Sequence, residues 1–490
     1  MIRAHPRTDL MKGDDINRDR KGGDRWCLRV EKAEGKEVKT MPDVSMIRDY
    51  AIKKTINGLI FVLPNIPDDK LLSFAEKFVS GVKWPDGQEF LRSLILQIKN
   101  RLPDLHKNVR RGAINFLTDA LFYKARLREA FEKEHGFSPP LLLVISPTMR
   151  CNLDCVGCYA GMYSKKDDLP VEVLDRVLNE AKEMGIYFIV ISGGEPFSYK
   201  PLLGICEKHR DVTFQVYTNG TLIDRELAGR IAELGNIIPC ISVEGYGEET
   251  DARRGKGVYD RVLRAMDNLK EARALYGFSA TVTRFNSDLL TSEDFVDYYM
   301  DEKGCFIGWY FQYMPIGTRP SLELMTTPEQ RIQRLERVTR MRREKRALIS
   351  DFWCDGPLVG GCLAAGRQYL HINQNGDVEP CVFVHFAVDN IKEKSLTQVL
   401  ESDFFRSIRE RAPYHPNLLR PCMVIDHPYV LRECVERCGA RPTHPEAEGI
   451  ITDLAPDLDR YGEEYGCLAD PIWEERYQDT AVEVKRLHSA

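Results

Sequence analysis

The chain has 490 residues, of which 43% are apolar and 29% charged, with a formal net charge of −5. At roughly 100–200 residues per domain, this length asks for about two to four domains. The small negative charge gives no global case for nucleic acid or an anionic membrane surface as partner, and no stretch reaches the ~20 apolar residues of a membrane-spanning helix.

Fourteen cysteines are many for a chain whose first residues, MIRAHPRTDLMKGDDINRDRKGGDR, carry charges but no apolar core of a secretory signal. The expectation is a cytoplasmic protein. A reducing compartment disfavours disulfides, so clustered cysteines there point to metal or catalysis. Cys206, Cys240 and Cys305 stand singly in apolar patterns and are expected in the core.

Residues 1–45 are polar and aperiodic, as in a flexible tail. Residues 46–136 have helical texture and form the first expected domain. The segment PDDKLLSFAEKFVSGV opens with Pro67 and two acids, a helix start, and places Leu71, Leu72, Phe74, Ala75, Phe78 and Val79 at helical spacing. The uncharged run Thr55 to Pro67 is too short to span a membrane. It fits a buried helix end and loop, or a segment lying on a membrane or in a substrate groove.

From Leu141 the texture changes to strands alternating with helices. Strands are expected at 141–146, 186–192, 212–218, 237–243, 278–284 and 307–314, with amphipathic helices between them. This alternation predicts a parallel sheet with right-handed crossovers, either open and doubly wound or part of a β/α barrel. A helix over 327–348 follows, with eight Lys or Arg between Arg331 and Arg346. It is expected to be a solvated link between a core at 137–345 and a Cys- and Gly-rich domain at 346–445. A polar, acidic extension with a few anchoring aromatics occupies 446–490.

The first strand runs into SPTMRCNLDCVGCYAG, where Cys151, Cys155 and Cys158 are spaced C-x3-C-x2-C. Three thiolates within eight residues can wrap one inorganic centre. A structural zinc wants four closed ligands, and here the local count stops at three with no histidine near. A [4Fe–4S] cluster held by three cysteines keeps one iron open, and an open metal position is where chemistry happens. A zinc site completed by a distant ligand is the alternative.

C-x3-C-x2-C followed by Tyr159, just after a first strand, resembles the signature loop of the radical S-adenosylmethionine (SAM) superfamily. Three further strand ends carry the likeness: Ser192-Gly193-Gly194-Glu195-Pro196, Thr218-Asn219-Gly220, and Ser242-Val243-Glu244-Gly245, where relatives often have Asp for Glu244. The stretch DARRGKGVYDRV also resembles the family. The likeness implies a partial (β/α)6 barrel with chemistry at the C-terminal strand ends. It implies that Cys151, Cys155 and Cys158 hold the cluster and that its open iron takes the amino and carboxylate groups of SAM. Gly193 and Gly194 would let the backbone approach closely, and Glu195 would meet the amino group. Asn219, Ser242 and Glu244 would bond the ribose or carboxylate, and the backbone near Tyr159 would meet adenine. It further implies reductive cleavage of SAM to a 5′-deoxyadenosyl radical, hydrogen abstraction from a substrate, and a low-potential donor such as a flavodoxin or ferredoxin. Which residues act on the substrate itself the sequence leaves open.

Downstream, Cys362 and Cys381 frame Gly376 as C-x13-G-x4-C, and Asn375-Gly376 between β-like segments signals a hairpin that brings the two thiols together. This resembles the start of the SPASM/Twitch auxiliary-cluster domains. Full SPASM spacing is absent: Cys422 follows, then Cys434 and Cys438. One auxiliary [4Fe–4S] cluster is therefore expected on Cys362, Cys381 and Cys422. Its fourth ligand stays open among Cys434, Cys438, Cys354 and a non-cysteine group, and zinc is the alternative. Relatives often modify peptides or proteins, so a peptide is the first substrate expected, with a lipid or small metabolite next. An iron–sulfur carrier needs neither an open-iron triad nor GGEP, and a zinc hydrolase would need a general base beside the triad.

Overall fold

A computed structural model describes residues 62–488 apart from positions 83 and 122, and a two-residue-arm hairpin pairing Lys32–Ala33 with Lys36–Glu37. Most of the expected tail, 1–45, and of the apolar run, 55–61, lies outside the described residues. Residues 52–490 belong to one compact unit.

Four helices come first: α1 (Asp68–Val79), α2 (Pro85–Arg101), α3 (Lys107–Leu121) and α4 (Tyr123–His135). Helix α1 starts after Pro67, and Asp68 and Asp69 in its first turn complement the helix dipole. It buries Leu71 and Val79, but Phe74 and Phe78 of the same apolar series stay exposed, Phe74 at 89%. Helix α3 packs so closely on the sheet unit that a Cβ on Gly112 would sit 2.2 Å from the Gly235 carbonyl oxygen.

Seven parallel strands form the core: β1 (Leu143–Ile145), β2 (Phe188–Ile191), β3 (Thr213–Thr218), β4 (Ile237–Val243), β5 (Gly277–Val282), β6 (Gly308–Gln312) and β7 (Ile349–Asp351). Helices α5 (Val171–Glu183), α6 (Leu202–Lys208), α7 (Arg225–Leu234), α8 (Gly247–Arg254) and α9 (Val258–Glu271) lie between them, and α10 (Pro328–Glu344) leads into β7. Alternation of side chains decides the two faces. On β2, Ile189 and Ile191 are fully buried in the hydrophobic core, whereas Phe188 and Val190 line the barrel's interior. Each Ile, Leu or Phe so buried contributes ~1.5–3 kcal/mol, so the helix-facing side fixes the register.

All six expected strands are present. The seventh, β7, was not expected from the sequence. A second addition lies at the other edge. The hairpin of β8 (His371–Ile372) and β9 (Val378–Glu379) pairs β8 parallel to β1, His371 opposite Val144, giving the order β9-β8-β1-β2-β3-β4-β5-β6-β7. The barrel is thus an open sheet, and the Cys-rich segment is hydrogen-bonded onto its first strand. Helices α11 (Pro428–Cys438) and α12 (Ala455–His488) follow.

Helix α10 is not the solvated link its charge suggested. Arg331, Arg334 and Arg342 are almost wholly buried, each on an aspartate: Arg331 on Asp426 at 2.6 Å, Arg334 on Asp351 at 2.7 Å and Arg342 on Asp355 at 2.7 Å. Buried guanidinium groups need such partners. The helix is an internal strut whose exposed positions carry the remaining charge.

Candidate active site

The loop after β1 carries Cys151, Cys155 and Cys158, all half-buried. Its shape is set by the turn after β2. Gly194 N–H donates to the Thr148 carbonyl at 2.9 Å and Glu195 N–H to the Arg150 carbonyl at 2.8 Å. A Cβ on Gly194 would lie 2.2 Å from the Arg150 oxygen, and one on Gly193, where φ is +112°, 2.4 Å from the Thr148 oxygen. Both glycines therefore let the second strand's turn close on the backbone that leads into Cys151.

Glu195 does not face the cavity. Its carboxylate is fully buried and accepts from Thr218 Oγ1 at 2.8 Å, Asn219 N–H at 2.8 Å and Phe197 N–H at 3.1 Å. Burial raises its pKa despite these bonds. It braces the ends of β2 and β3 together, because three donors from those ends already occupy it. Glu244 is likewise engaged, by Arg253 and by Arg254, whose Nε lies at 2.9 Å.

The other expected residues do meet at one place. Cys151, Cys155, Cys158, Tyr159, Gly193, Gly194, Asn219 and Ser242 all line a cavity of about 600 Å³ inside the barrel. The Tyr159 hydroxyl bonds Ser192 Oγ at 2.6 Å, and burial pushes its pKa up to about 12. Asn219 Nδ2 donates to Asn152 Oδ1 at 2.8 Å and lies 3.8 Å from Cys151 Sγ. Ser242 Oγ is 3.4 Å from Ser279 Oγ.

Two residues without an expected role join them. Arg253 and Arg254, at the end of α8, line the same cavity. Burial raises the Cys155 thiol, and Arg254 opposes that most strongly. The signal was in the sequence, in DARRGKG, but without Glu244 as an anchor the pair resembles an ordinary basic helix end.

The cavity continues to the opposite ends of the strands, to Leu141, Leu142 and Phe188, and to Phe90 of α2. Its walls are mostly apolar and aromatic, with Tyr217, Trp309, Phe311 and Phe352 prominent. The polar side chains among them are mostly committed to neighbours. Gln215 donates to the Tyr217 hydroxyl at 2.7 Å, Gln312 accepts from Arg334 at 3.1 Å, and Asp355 holds Arg342. Barrels of this kind usually fill the interior with side chains; here it is left open.

Cys362, Cys381 and Cys422 line a second, smaller pocket of about 50 Å³ with Phe352, Trp353, Tyr369, Phe383 and Met423. Backbone donors already point at two of the sulfurs: Phe383 N–H at 3.4 Å from Cys381 Sγ and Val424 N–H at 3.4 Å from Cys422 Sγ. Burial pushes the Cys381 thiol up to about 12 and raises Cys422 further, with Asp426 adding to the latter. Cys354 does not line this pocket. It is buried in a separate apolar cluster with Leu335, Leu418 and Tyr465. Cys434 and Cys438 lie on α11 and do not line the pocket either.

A profile for the radical SAM superfamily matches residues 145–283, and one for SPASM, an iron–sulfur cluster-binding domain, matches residues 362–424. The Fe-coproporphyrin III synthase of Methanosarcina barkeri is 31% identical over 309 residues, which are 56% of this chain and 77% of that protein. The mycofactocin maturase MftC of Mycolicibacterium smegmatis is 31% identical over 317 residues, 58% of this chain and 76% of the relative. Among solved structures, Streptococcus suis SuiB bound to precursor peptide SuiA aligns with a TM-score of 0.49 at 22% identity, over 59% of this chain and 70% of that one.

The chain belongs to the radical SAM superfamily and is an enzyme. Its cofactors are a SAM-binding [4Fe–4S] cluster with S-adenosylmethionine, and further iron–sulfur centre chemistry in the SPASM region. The residues present fit these groups. Among the described residues no three His, Cys, Asp or Glu side chains are arranged to hold a single metal ion. A four-iron cluster asks for something else, since each thiolate binds a different iron and the sulfurs stand further apart. Amide donors aimed at sulfur suit thiolates that carry negative charge, and the arginine pair beside Cys155 suits an anionic centre.

Proposed function

We propose that Cys151, Cys155 and Cys158 hold the SAM-binding cluster, and that the enzyme abstracts hydrogen from a saturated carbon of a largely apolar substrate, a lipid or an apolar small metabolite. The observation that carries this is the continuous apolar cavity joining the triad to the far ends of the barrel strands. When bound, the cluster and SAM supply a 5′-deoxyadenosyl radical, with one electron from a low-potential donor such as a flavodoxin or ferredoxin.

The protein's part is positioning and exclusion. The turn at Gly193 and Gly194 fixes the cysteine loop through the Thr148 and Arg150 carbonyls. Arg253 and Arg254 offer cations to a carboxylate in the cavity, held in place by Glu244. Ser242 offers a hydrogen bond to a hydroxyl group, and Asn219, whose amide is engaged by Asn152 and Thr221, steadies the loop beside it. Tyr159, tied to Ser192, gives an aromatic wall for a base. The apolar walls beyond keep water and exchangeable hydrogens from a reactive carbon centre, and they match C–H-rich substrate better than backbone amides. Cys362, Cys381 and Cys422 hold an auxiliary cluster, which suits electron relay or direct ligation of substrate.

A peptide is the second reading. The open sheet favours it, since β7 is an edge strand and its Ser350 and the following Phe352 line the cavity. An extended chain can lie along such an edge. Deuterium transfer separates the two. Anaerobically reconstituted enzyme is given dithionite, SAM and either perdeuterated membrane lipid or perdeuterated peptide digest, and 5′-deoxyadenosine is examined by mass spectrometry. Deuterium from the lipid pool is expected. Label from the peptide pool alone would move the assignment to a peptide.

A further inference from the structure

One side chain belongs to both cysteine regions. The ring of Tyr369 packs against Val144 of β1 and Val190 of β2, in a small apolar cluster that also takes in Cys381. It therefore forms part of the barrel cavity's wall, and it lines the smaller pocket between Cys362, Cys381 and Cys422 as well. Its hydroxyl lies 2.7 Å from Cys381 Sγ. The tyrosine is buried, at 6% exposure, so this contact has little competition from water.

We propose that Tyr369 is a positioning residue for the auxiliary cluster: it donates its O–H to the Cys381 thiolate and sets that cluster's reduction potential from the wall of the substrate cavity. The donor direction follows from chemistry, because a metal-bound thiolate carries no proton and, of the two groups in this contact, only the phenol has one to give. A hydrogen bond to a cluster thiolate stabilises the reduced, more negative state and raises the potential. Phe383 N–H makes a second, longer contact to the same sulfur, so Cys381 carries two donors and the side-chain donor is the one that also touches the cavity. Tyr414 also lies against Cys362, but it does not line the barrel cavity and lacks this second contact.

This rests on the reading that Cys362, Cys381 and Cys422 hold a cluster, and the test keeps the two apart. Full-length wild type and Tyr369→Phe are reconstituted anaerobically and titrated electrochemically with electron paramagnetic resonance as readout. About eight irons per wild-type chain, as for two four-iron clusters, establishes the second cluster. About four irons, as for one cluster, would overturn that reading and the proposal with it. Given two clusters, Tyr369→Phe is expected to keep the ring packing and the iron. Its auxiliary signal should shift and its midpoint potential fall, while the other cluster's response to SAM is unchanged. Loss of the auxiliary cluster from this variant would overturn the proposal, since a residue needed to hold the cluster at all is structural and does not merely tune its potential. An auxiliary cluster with wild-type signal and potential, or with a raised potential, would refute it.

Discussion

The two cysteine regions each gather three half-buried thiols, yet their surroundings differ in kind. The first trio lies at the C-terminal strand ends beside Arg253 and Arg254, and Arg254 opposes the effect of burial on Cys155. The second lies among Phe352, Trp353, Phe383 and Met423, with the phenols of Tyr369 and Tyr414 as side-chain neighbours and with burial pushing Cys381 and Cys422 strongly upward. A cationic rim suits a site that must take up a charged cosubstrate. A phenolic and apolar rim suits a centre that exchanges electrons without binding a charged small molecule. On the proposed assignment, the same ligand chemistry is set to different work by what stands around it.

The sharpest way to break this contrast is at the first trio. Cys155→Ala leaves two thiolates there, and is expected to abolish reductive SAM cleavage, measured as methionine and 5′-deoxyadenosine formed with dithionite. Full activity in that variant would show that the trio has been misassigned. The second trio should behave differently. Cys381→Ala is expected to remove about half of the ~8 irons of a two-cluster chain and to stop conversion of the true substrate. SAM cleavage without substrate should persist in part, because the barrel site is untouched. If Cys381→Ala instead keeps all its iron and full turnover, the second region holds no cluster.

How far the sequence reveals this contrast depends on range. Strands β1 to β6 are legible because each is a short β-rich run bounded by turn residues, and the Cys and Gly-Gly motifs fall at their ends. The surroundings of Glu195 are not legible in the sequence, because two of its donors, Thr218 and Asn219, stand at the end of the next strand over and no local pattern shows that they bond its carboxylate. The need for glycine at 193 and 194 is legible in the motif, and what the two residues approach in the structure is the Thr148–Arg150 backbone. The hairpin of β8 and β9 is legible from its Asn375-Gly376 turn, but the pairing of β8 with β1, more than two hundred positions earlier, is not, since no local pattern could announce it. The arginines of α10 resemble a solvated face because each takes its partner from outside the helix, Arg334 and Arg342 from in and just after β7 and Arg331 from 95 residues away.

That last pair gives the mildest of these predictions, one on stability. Arg331 and Asp426 are both about 1% exposed or less, and Asp426 Oδ2 also accepts the Cys422 N–H at 2.9 Å. The guanidinium carbon stands 3.5 Å from the centre of the Tyr465 ring. One salt bridge thus joins the strut helix, the third cysteine of the second trio and α12. Arg331→Met leaves a buried carboxylate without its cation, and removing one partner of such a pair costs about 3–5 kcal/mol. The double change Arg331→Met with Asp426→Leu removes both charges together and should recover much of that loss, because burying the pair carried its own desolvation cost. Denaturant unfolding of the two variants and wild type measures this directly. The double variant still lacks the acceptor for Cys422 N–H, so it should regain stability without regaining full iron occupancy at the second site. If iron returns along with stability, Asp426 serves only to neutralise Arg331. If neither returns, it is the ring contact and the shape of the pair, more than its charge, that hold the second region to the barrel.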